Sequence, residues 1–183
     1  MIYFVRHGQT NDNVNGILTG WLSTPLNDKG LSQAIDTAEQ LKNIHFDVCF
    51  CSPLKRTKQT LFEIIKYHED MPVIFDARLK ERDYGSLTGK STKLWQGERW
   101  HENNPLPEET ESIPDMYARV ESLYNDILKK YKDKNVLIVS HSGVGRMSYF
   151  YFNGKPADGD YSNFEIGNAK IMELDFNNLN KNI

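Results

Sequence analysis

The chain has 183 residues, of which 39% are hydrophobic and 11% aromatic, enough for one domain with a real core and too many for an intrinsically disordered chain. With 22 Lys and Arg against 25 Asp and Glu, the formal net charge is −3, so neither nucleic acid nor an anionic membrane is expected as a partner. Any anion that the protein binds must be held by a few local cationic side chains.

The first half of the chain predicts strands that alternate with helices. Short apolar runs predict strands over residues 2–6, 48–51 and 73–75. Helical spacing of apolar residues predicts one helix that begins at Asn27 or Asp28 and another that runs from Pro53 to about His68.

The second half begins with residues 80–112, which lack clean periodicity and are predicted to form a cap over the core, with short helices near Thr92–Trp95 and Glu98–Glu102. The apolar run over residues 135–140 does not alternate and predicts a central strand that is covered on both faces. The other predicted elements are a long helix over 113–128, a helix over 143–152, and a hairpin or edge pair of residues 163–166 and 170–176. This order predicts an α/β fold with three layers, α/β/α, around a central, mostly parallel sheet.

Neither the apolar runs nor the cysteines indicate a membrane or secreted protein. No apolar run approaches the roughly 18–20 residues that a membrane span needs, and no signal peptide is readable before Arg6. Cys49 and Cys51 are two residues apart on a predicted strand, a poor geometry for a disulfide, and two cysteines alone make no zinc site. We therefore expect buried thiols, a cytoplasmic protein, and no metal or other cofactor.

Chemically active residue types follow the predicted strands. Arg6 and His7 end the first strand, Arg56 follows the second, Glu81 the third, and His141 the central one. Ligands of such folds bind outside the carboxyl ends of the strands. Guanidinium groups bind phosphoryl oxygens, an imidazole can act as a nucleophile, and a carboxylic acid can protonate a leaving oxygen. These residues are therefore sufficient for phosphoryl transfer without a metal.

Four sequence blocks also resemble the histidine phosphatase superfamily, which includes cofactor-dependent phosphoglycerate mutases. They occur in the family's order across essentially the whole chain: Arg6-His7-Gly8, Ser52-Pro53-Leu54-Lys55-Arg56-Thr57, Leu79-Lys80-Glu81-Arg82 and Ser140-His141-Ser142-Gly143. Two positions depart from the family pattern, Ser23 where Asp is common and Ser142 where Gly is more usual. The resemblance implies a phosphoglycerate mutase-like fold and one domain over residues 1–183, with 80–112 as its cap insertion.

The resemblance also implies residue roles. His7 would be the nucleophile that becomes phosphohistidine, and Glu81 would protonate the leaving alkoxide and then help to activate water or a second hydroxyl. Arg6, Arg56 and His141 would bind the phosphoryl group. Further substrate contacts are expected from a second set of matching positions, namely Asn13, Thr19, Gly20, Arg82 and Ser142. Asp83 and Glu102 compete with Glu81 for the acid role.

Three functions remain open at this point. The favoured one is a metal-independent phosphatase that acts on a small phosphomonoester, because the longer mutase insertion with its paired arginines is missing and the region offers only Lys90, Lys93 and a single Arg99. A cofactor-dependent phosphoglycerate mutase is the alternative. A non-catalytic phosphate-binding protein is the third, although such a protein needs neither His7 nor Glu81. The substrate and the oligomeric state are not readable from the sequence.

Overall fold

The computed structural model describes residues 1–181 and contains a five-stranded sheet in the order β3-β2-β4-β1-β5. The strands are β1 (Ile2–Arg6), β2 (Val48–Cys51), β3 (Val73–Phe75), β4 (Val136–Ser140) and β5 (Ile171–Leu174). The first four pair in parallel, and β5 pairs antiparallel with β1. The predicted mixed, mostly parallel sheet is therefore confirmed, with β4 at its centre.

Helices cover both faces of this sheet. They are α1 (Asn11–Val14), α2 (Asp28–Leu41), α3 (Lys55–Ile65), α4 (Ile113–Tyr131) and α5 (Ser142–Asn153). Alternate residues of β4 enter different cores: Ile138 packs in the cluster that holds α4 and α5, and Leu137 packs in the cluster under α2 and α3. Every residue of β4 is buried, as the apolar run without alternation predicted.

Local capping chemistry sets two of the helix starts. The Asn27 side chain accepts a hydrogen bond from the backbone N of Gly30 at 2.8 Å, so α2 begins at Asp28 with Asn27 as its N-cap. The one-turn helix α1 was not predicted, because it has no apolar periodicity; a capping box between Thr10 and Asn13 holds it. Helix α3 is shorter than predicted and ends at Ile65.

The strand predicted at residues 170–176 is confirmed in part, but the strand predicted at 163–166 and its pairing with 170–176, as a hairpin or edge pair, are wrong. Only Ile171–Leu174 forms a strand, and it pairs with β1 at the edge of the sheet. Ile166 instead enters the core, and its carbonyl accepts a hydrogen bond from Arg6 Nη1 at 2.6 Å. The local sequence pattern suggested that residues 170–176 pair with the preceding segment. In the structure β5 instead pairs with β1, which is far away in the sequence.

The segment 80–112 contains single 3₁₀ turns over Gly85–Leu87 and Thr92–Leu94, the second close to the short helix predicted there. The helix predicted near Glu98–Glu102 is wrong, because the backbone there pairs with another loop. Trp100 O accepts from Tyr161 N at 2.9 Å, and Glu102 N donates to Gly159 O at 3.0 Å. Both hydrogen bonds take backbone groups away from the i to i−4 pattern of a helix.

Cys49 and Cys51 are unpaired and buried, and burial raises the pKa of Cys51 to about 12. Within residues 1–181, no helix is both long and apolar enough to cross a bilayer.

Candidate active site

The carboxyl ends of β1, β2 and β4 meet at one edge of the sheet and open into a cavity of about 330 Å³. Backbone hydrogen bonds hold these ends together, from His7 N to Ser140 O at 2.9 Å and from Ser52 N to Val139 O at 3.0 Å. Most of the predicted site residues line this cavity: Arg6, His7, Asn13, Thr19, Gly20, Arg56, Glu81 and Ser142. Residues that are far apart in the sequence thus meet at this cavity, because each group follows the end of a strand.

His7 is buried, and its hydrogen bonds define its tautomer. Nδ1 lies 2.7 Å from the carbonyl oxygen of Gly8, and because a carbonyl only accepts, Nδ1 carries the ring proton. Nε2 therefore has a lone pair, and it accepts from Arg56 Nε at 3.1 Å. Burial, Arg56 and Arg6 together hold the pKa of His7 well below its usual value. The result is a neutral imidazole with an unprotonated Nε2, the form that a nucleophile requires.

Two glycines keep the His7 loop against helices α2 and α3. Gly8 N donates to Thr60 Oγ1 at 3.1 Å, which ties the loop to α3. A Cβ atom on Gly8 would lie 2.3 Å from Gly30 O, and one on Gly30 would lie 2.0 Å from Gln9 O. The loop and the start of α2 are thus in backbone contact, and any side chain at either position would displace the carbonyl that orients His7.

Arg56 and Arg6 are fixed beside His7. Arg56 is 1% exposed, and its two terminal nitrogens donate to Leu22 O at 3.0 Å and Gly20 O at 2.9 Å. Burial lowers the pKa of Arg56 to about 10, so its guanidinium is still charged at neutral pH. Arg6 donates to Ile166 O, but its buried Nε has no hydrogen-bond partner. Two rigid guanidinium groups next to an imidazole form a binding site for an oxyanion.

His141 lies behind His7 and does not line the cavity itself. The two rings are in edge contact, with centroids 5.2 Å apart, and His141 Nε2 lies 2.8 Å from Ser52 Oγ. Its Nδ1 is buried without a partner among the residues that the structure describes. Burial and the charge of Arg56 hold the pKa of His141 well below its usual value, so this ring is also neutral.

Glu81 reaches the cavity next to the N-terminus of α5. Its carboxylate accepts from Arg82 N at 2.8 Å and from Gly143 N at 3.1 and 3.2 Å. The rival acids are elsewhere: Asp83 accepts from Gly85 N at 2.9 Å, and Glu102 accepts from the hydroxyl of Tyr161 at 2.9 Å. Neither rival lines the cavity, so the structure places Glu81, of these three, near His7.

The predicted substrate-binding residues do not all lie at the cavity. Asn13 does, with its Oδ1 accepting from Thr10 N and Asn168 Nδ2, both at 3.1 Å, which leaves its amide nitrogen as a donor. Arg82 does not line the cavity. It is fully buried between the rings of Trp95 and Trp100, 5.1 and 5.4 Å from their centroids, and its Nε donates to Glu111 O at 2.9 Å. Arg82 therefore packs residues 80–112 together.

Other residues at the cavity were not predicted to be there as site residues. Arg146 is buried on α5, four residues after Ser142, and this helical spacing was the available signal. Arg99 and Trp100 reach the cavity from the loop of residues 80–112. No sequence pattern indicated that Asn168 lines the cavity, because it lies in the turn between the two segments that were predicted to pair. Within the described part of the chain, no group of three or more His, Cys, Asp and Glu residues is arranged to hold a metal ion.

Comparisons with known proteins agree with this geometry. The family model described as the histidine phosphatase superfamily (branch 1) matches residues 2–183. A phosphatase of Bacillus subtilis named PhoE, itself uncharacterized, is 30% identical over 96% of this chain and 88% of its own length. A 2,3-bisphosphoglycerate-dependent phosphoglycerate mutase of Bartonella bacilliformis is 32% identical over 84% of this chain and 81% of its own.

Two solved structures share the fold. A mycobacterial glucosyl-3-phosphoglycerate phosphatase matches with a TM-score of 0.82 and 26% identity, over 93% of this chain and 87% of that one. The alpha-ribazole phosphatase of Shigella flexneri matches with a TM-score of 0.80 and 27% identity, over 93% of this chain and 87% of that one. The similar proteins thus include phosphatases of different substrates and mutases.

We predict that neither His7 nor His141 takes up a proton near pH 6.5 in the free protein, the ordinary value for histidine. Because the unfolded chain does take up these protons, stability is complete above about pH 6.5 and falls as the pH drops below it, by up to about 1.4 kcal/mol per pH unit for each ring. Ring NMR shifts and urea unfolding between pH 7 and 5 measure both effects. The unfolding free energy should depend less steeply on pH in His7→Gln. Ring signals of His7 or His141 that titrate near pH 6.5 would contradict the prediction.

Proposed function

The chain belongs to the histidine phosphatase superfamily, and from this premise we propose that it is a phosphatase that hydrolyses a small phosphomonoester through a phosphohistidine on His7. The observation that carries the proposal is the tautomer of His7, which its two hydrogen bonds determine. Its Nδ1 proton is held by Gly8 O, and its Nε2 lone pair lies beside the guanidinium of Arg56 in a cavity that also contains Glu81.

In the first step the phosphoryl group lies against Arg6 and Arg56, which neutralise its oxygens. His7 Nε2 attacks phosphorus, so that an N–P bond forms as the P–O bond to the alcohol breaks. Glu81, in its protonated form, gives its proton to the leaving oxygen. The hydrogen bond from Nδ1 to Gly8 O stabilises the positive charge that develops on the ring.

In the second step water attacks phosphorus and the N–P bond breaks. The Glu81 carboxylate accepts the proton of this water, which returns the acid to its starting form. Inorganic phosphate leaves, and His7 recovers its neutral tautomer. Atoms and protons balance over the two steps, and neither step requires a metal.

An unpartnered buried donor supports this position of the phosphoryl group. Arg6 lines the cavity, and its buried Nε makes no hydrogen bond to the described residues. A buried donor without a partner is costly, and the oxygens of a bound phosphoryl group are acceptors of the right charge. The free amide nitrogen of Asn13 is a further donor at the same cavity.

The mutase alternative also has support. Relatives about as similar as the phosphatases are named phosphoglycerate mutases, and Arg146 adds a second cation next to Arg99 at the cavity. We favour the phosphatase, because solved structures that share the fold include phosphatases of different substrates and the chain lacks the longer mutase insertion. A non-catalytic phosphate binder would need neither an unprotonated Nε2 nor a carboxylate beside it.

Replacement of His7 by Ala should lower turnover at least about 1,000-fold, because no other nucleophile takes its place. Rapid acid-free quenching with ³²P-labelled substrate should trap an acid-labile, alkali-stable adduct in the original protein and none in His7→Ala. His45→Ala, which changes an exposed histidine, is the matched control and should keep both turnover and adduct. Substantial activity in His7→Ala would refute the covalent mechanism.

Glu81→Gln should separate the two steps. With 4-nitrophenyl phosphate the leaving group needs no proton, so nitrophenol should appear in a burst of about one per enzyme before turnover slows, on the order of 100-fold or more. With an alkyl phosphate the same variant should give no burst, because the first step then lacks its acid. Glu102→Gln serves as the control. A variant at position 81 that turns over both substrates normally would assign the acid role elsewhere.

A direct assay decides between phosphatase and mutase. We expect hydrolysis of 4-nitrophenyl phosphate, with the same rate in the presence of EDTA, and no interconversion of 2- and 3-phosphoglycerate when 2,3-bisphosphoglycerate is supplied. Phosphate release and NMR of the glycerates measure the two reactions. Fast interconversion with slow hydrolysis would establish the mutase instead, and loss of rate in EDTA would indicate a metal-dependent chemistry.

A further inference from the structure

The proposed acid, Glu81, lies on a stretch of backbone that belongs to no regular element. The 3₁₀ turn Ala77–Leu79 ends just before it, and residues 80–84 form neither a helix nor a strand. Backbone groups in such a stretch lack the hydrogen bonds of a helix or a sheet, so other groups must satisfy them. The position of the Glu81 carboxylate therefore depends on the side chains that hold this backbone.

Arg119, on α4, holds three carbonyl oxygens of this stretch. Its Nη1 donates to Arg78 O and, at 2.8 Å, to Lys80 O, and its Nη2 donates to Glu81 O at 3.2 Å. The carboxylate of Glu111 orients the same guanidinium, because it accepts from Nε at 2.6 Å and from Nη2 at 2.9 Å. A bidentate ion pair thus fixes Arg119, and Arg119 fixes the backbone that carries the acid.

Trp21 makes a second contact with the carbonyl of the acid itself. Its Nε1 donates to Glu81 O at 2.7 Å, a shorter hydrogen bond than the one from Arg119. The Nζ of Lys80 lies over the indole, 4.1 Å from the ring centroid. Trp21 is 44% exposed, and its one polar side-chain atom is nevertheless bonded to the backbone of the acid.

The turn that carries Trp21 also orients Arg56, which binds the phosphoryl group in the proposed function. The carbonyls of Gly20 and Leu22 accept from the two terminal nitrogens of Arg56, at 2.9 and 3.0 Å. Leu22 N donates to Thr19 O at 3.0 Å and closes the turn, with Trp21 between the two carbonyls. One turn thus contacts both the cation that binds the phosphoryl group and the backbone of the acid that serves the leaving oxygen.

Building on the proposed function, in which Glu81 is the acid, we propose that Trp21 and Arg119 are positioning residues for this acid. Neither side chain lines the cavity, so both act through the carbonyl of Glu81 and not on the substrate. General acid catalysis requires the carboxyl group to lie within hydrogen-bond reach of the leaving oxygen. The two donors maintain that reach, because they fix the backbone from which the carboxyl group extends.

Trp21→Phe tests the proposal, because phenylalanine keeps an aromatic ring and removes the N–H donor. Two esters of similar size are compared: benzyl phosphate, whose leaving oxygen needs a proton, and 4-nitrophenyl phosphate, whose leaving oxygen does not. The value of kcat/KM reports the step that phosphorylates His7. It should fall about 10-fold for benzyl phosphate and less than about 2-fold for 4-nitrophenyl phosphate. An equal fall for both esters would overturn the proposal, since it would indicate a disturbed Arg56 and not a displaced acid.

Tyr67→Phe is the matched control. Tyr67 is another exposed aromatic residue whose one polar side-chain atom is hydrogen-bonded, in this case to Glu39 outside the cavity. This variant should keep both values of kcat/KM, and a fall as large as in Trp21→Phe would overturn the proposal. Arg119→Lys keeps the positive charge but loses the planar fork, so it should lower kcat/KM for benzyl phosphate alone, by about 10-fold. Thermal unfolding checks that it folds, and Trp21→Phe decides if it does not.

NMR separates this proposal from the proposed function. The backbone amides of Arg82 and Gly143 donate to the Glu81 carboxylate at 2.8 and 3.1 Å, so their proton shifts report its position without any turnover. In Trp21→Phe both signals should move upfield, toward their positions in Glu81→Gln, and in Tyr67→Phe they should stay in place. If the protein hydrolyses neither ester, the proposed function fails and these shifts still decide the positioning role. Signals in Trp21→Phe that match those of the original protein would overturn that role, whether or not the phosphatase stands.

Discussion

The hydrogen bond from His7 Nδ1 to the carbonyl of Gly8 is the interaction on which the candidate chemistry depends. It decides which ring nitrogen carries the proton and leaves Nε2 with the lone pair that the proposed nucleophile requires. Two further contacts hold the peptide group of Gly8 in place. Its backbone N donates to the hydroxyl of Thr60, and its Cα lies close against Gly30. Two glycines that carry no chemistry of their own thus maintain the reactive form of an imidazole.

The site also shows how a slightly acidic protein can gather arginines at one cavity. The chain has a formal net charge of −3, yet four arginines line this cavity together with three acidic residues: Arg6, Arg56, Arg99, Arg146, Asp12, Glu81 and Glu165. Backbone carbonyls accept hydrogen bonds from Arg6, Arg56 and Arg146 and so orient these cations, and Arg6 also lies 3.6 Å from the carboxylate of Glu165. Cations that the backbone already orients are preorganised for an anion, because they need little rearrangement before the ligand binds.

Residues 80–112 connect this electrostatic arrangement to the shape of the cavity. Arg82 bonds to backbone carbonyls of this segment and lies between Trp95 and Trp100, which fixes the indole of Trp100 at the cavity wall. That same indole contacts Arg99 and Arg146. Arg82 was expected to contact the substrate. In the structure it instead positions Trp100, which lines the cavity.

The sequence by itself determined the four strands of the parallel core and, in part, the strand at its edge, which strand is central, and which side chains follow the strand ends, although it wrongly added a strand at residues 163–166. Parallel strands place their carboxyl ends at one edge whatever the connections between them, and so His7, Arg56 and Glu81 could be expected together. Only the tertiary structure decided the pairing of β5 with β1, the burial of Arg82 and the arrival of Arg99 at the cavity. Those outcomes depend on contacts between segments far apart in the chain, and neither periodicity nor local motifs carry that information.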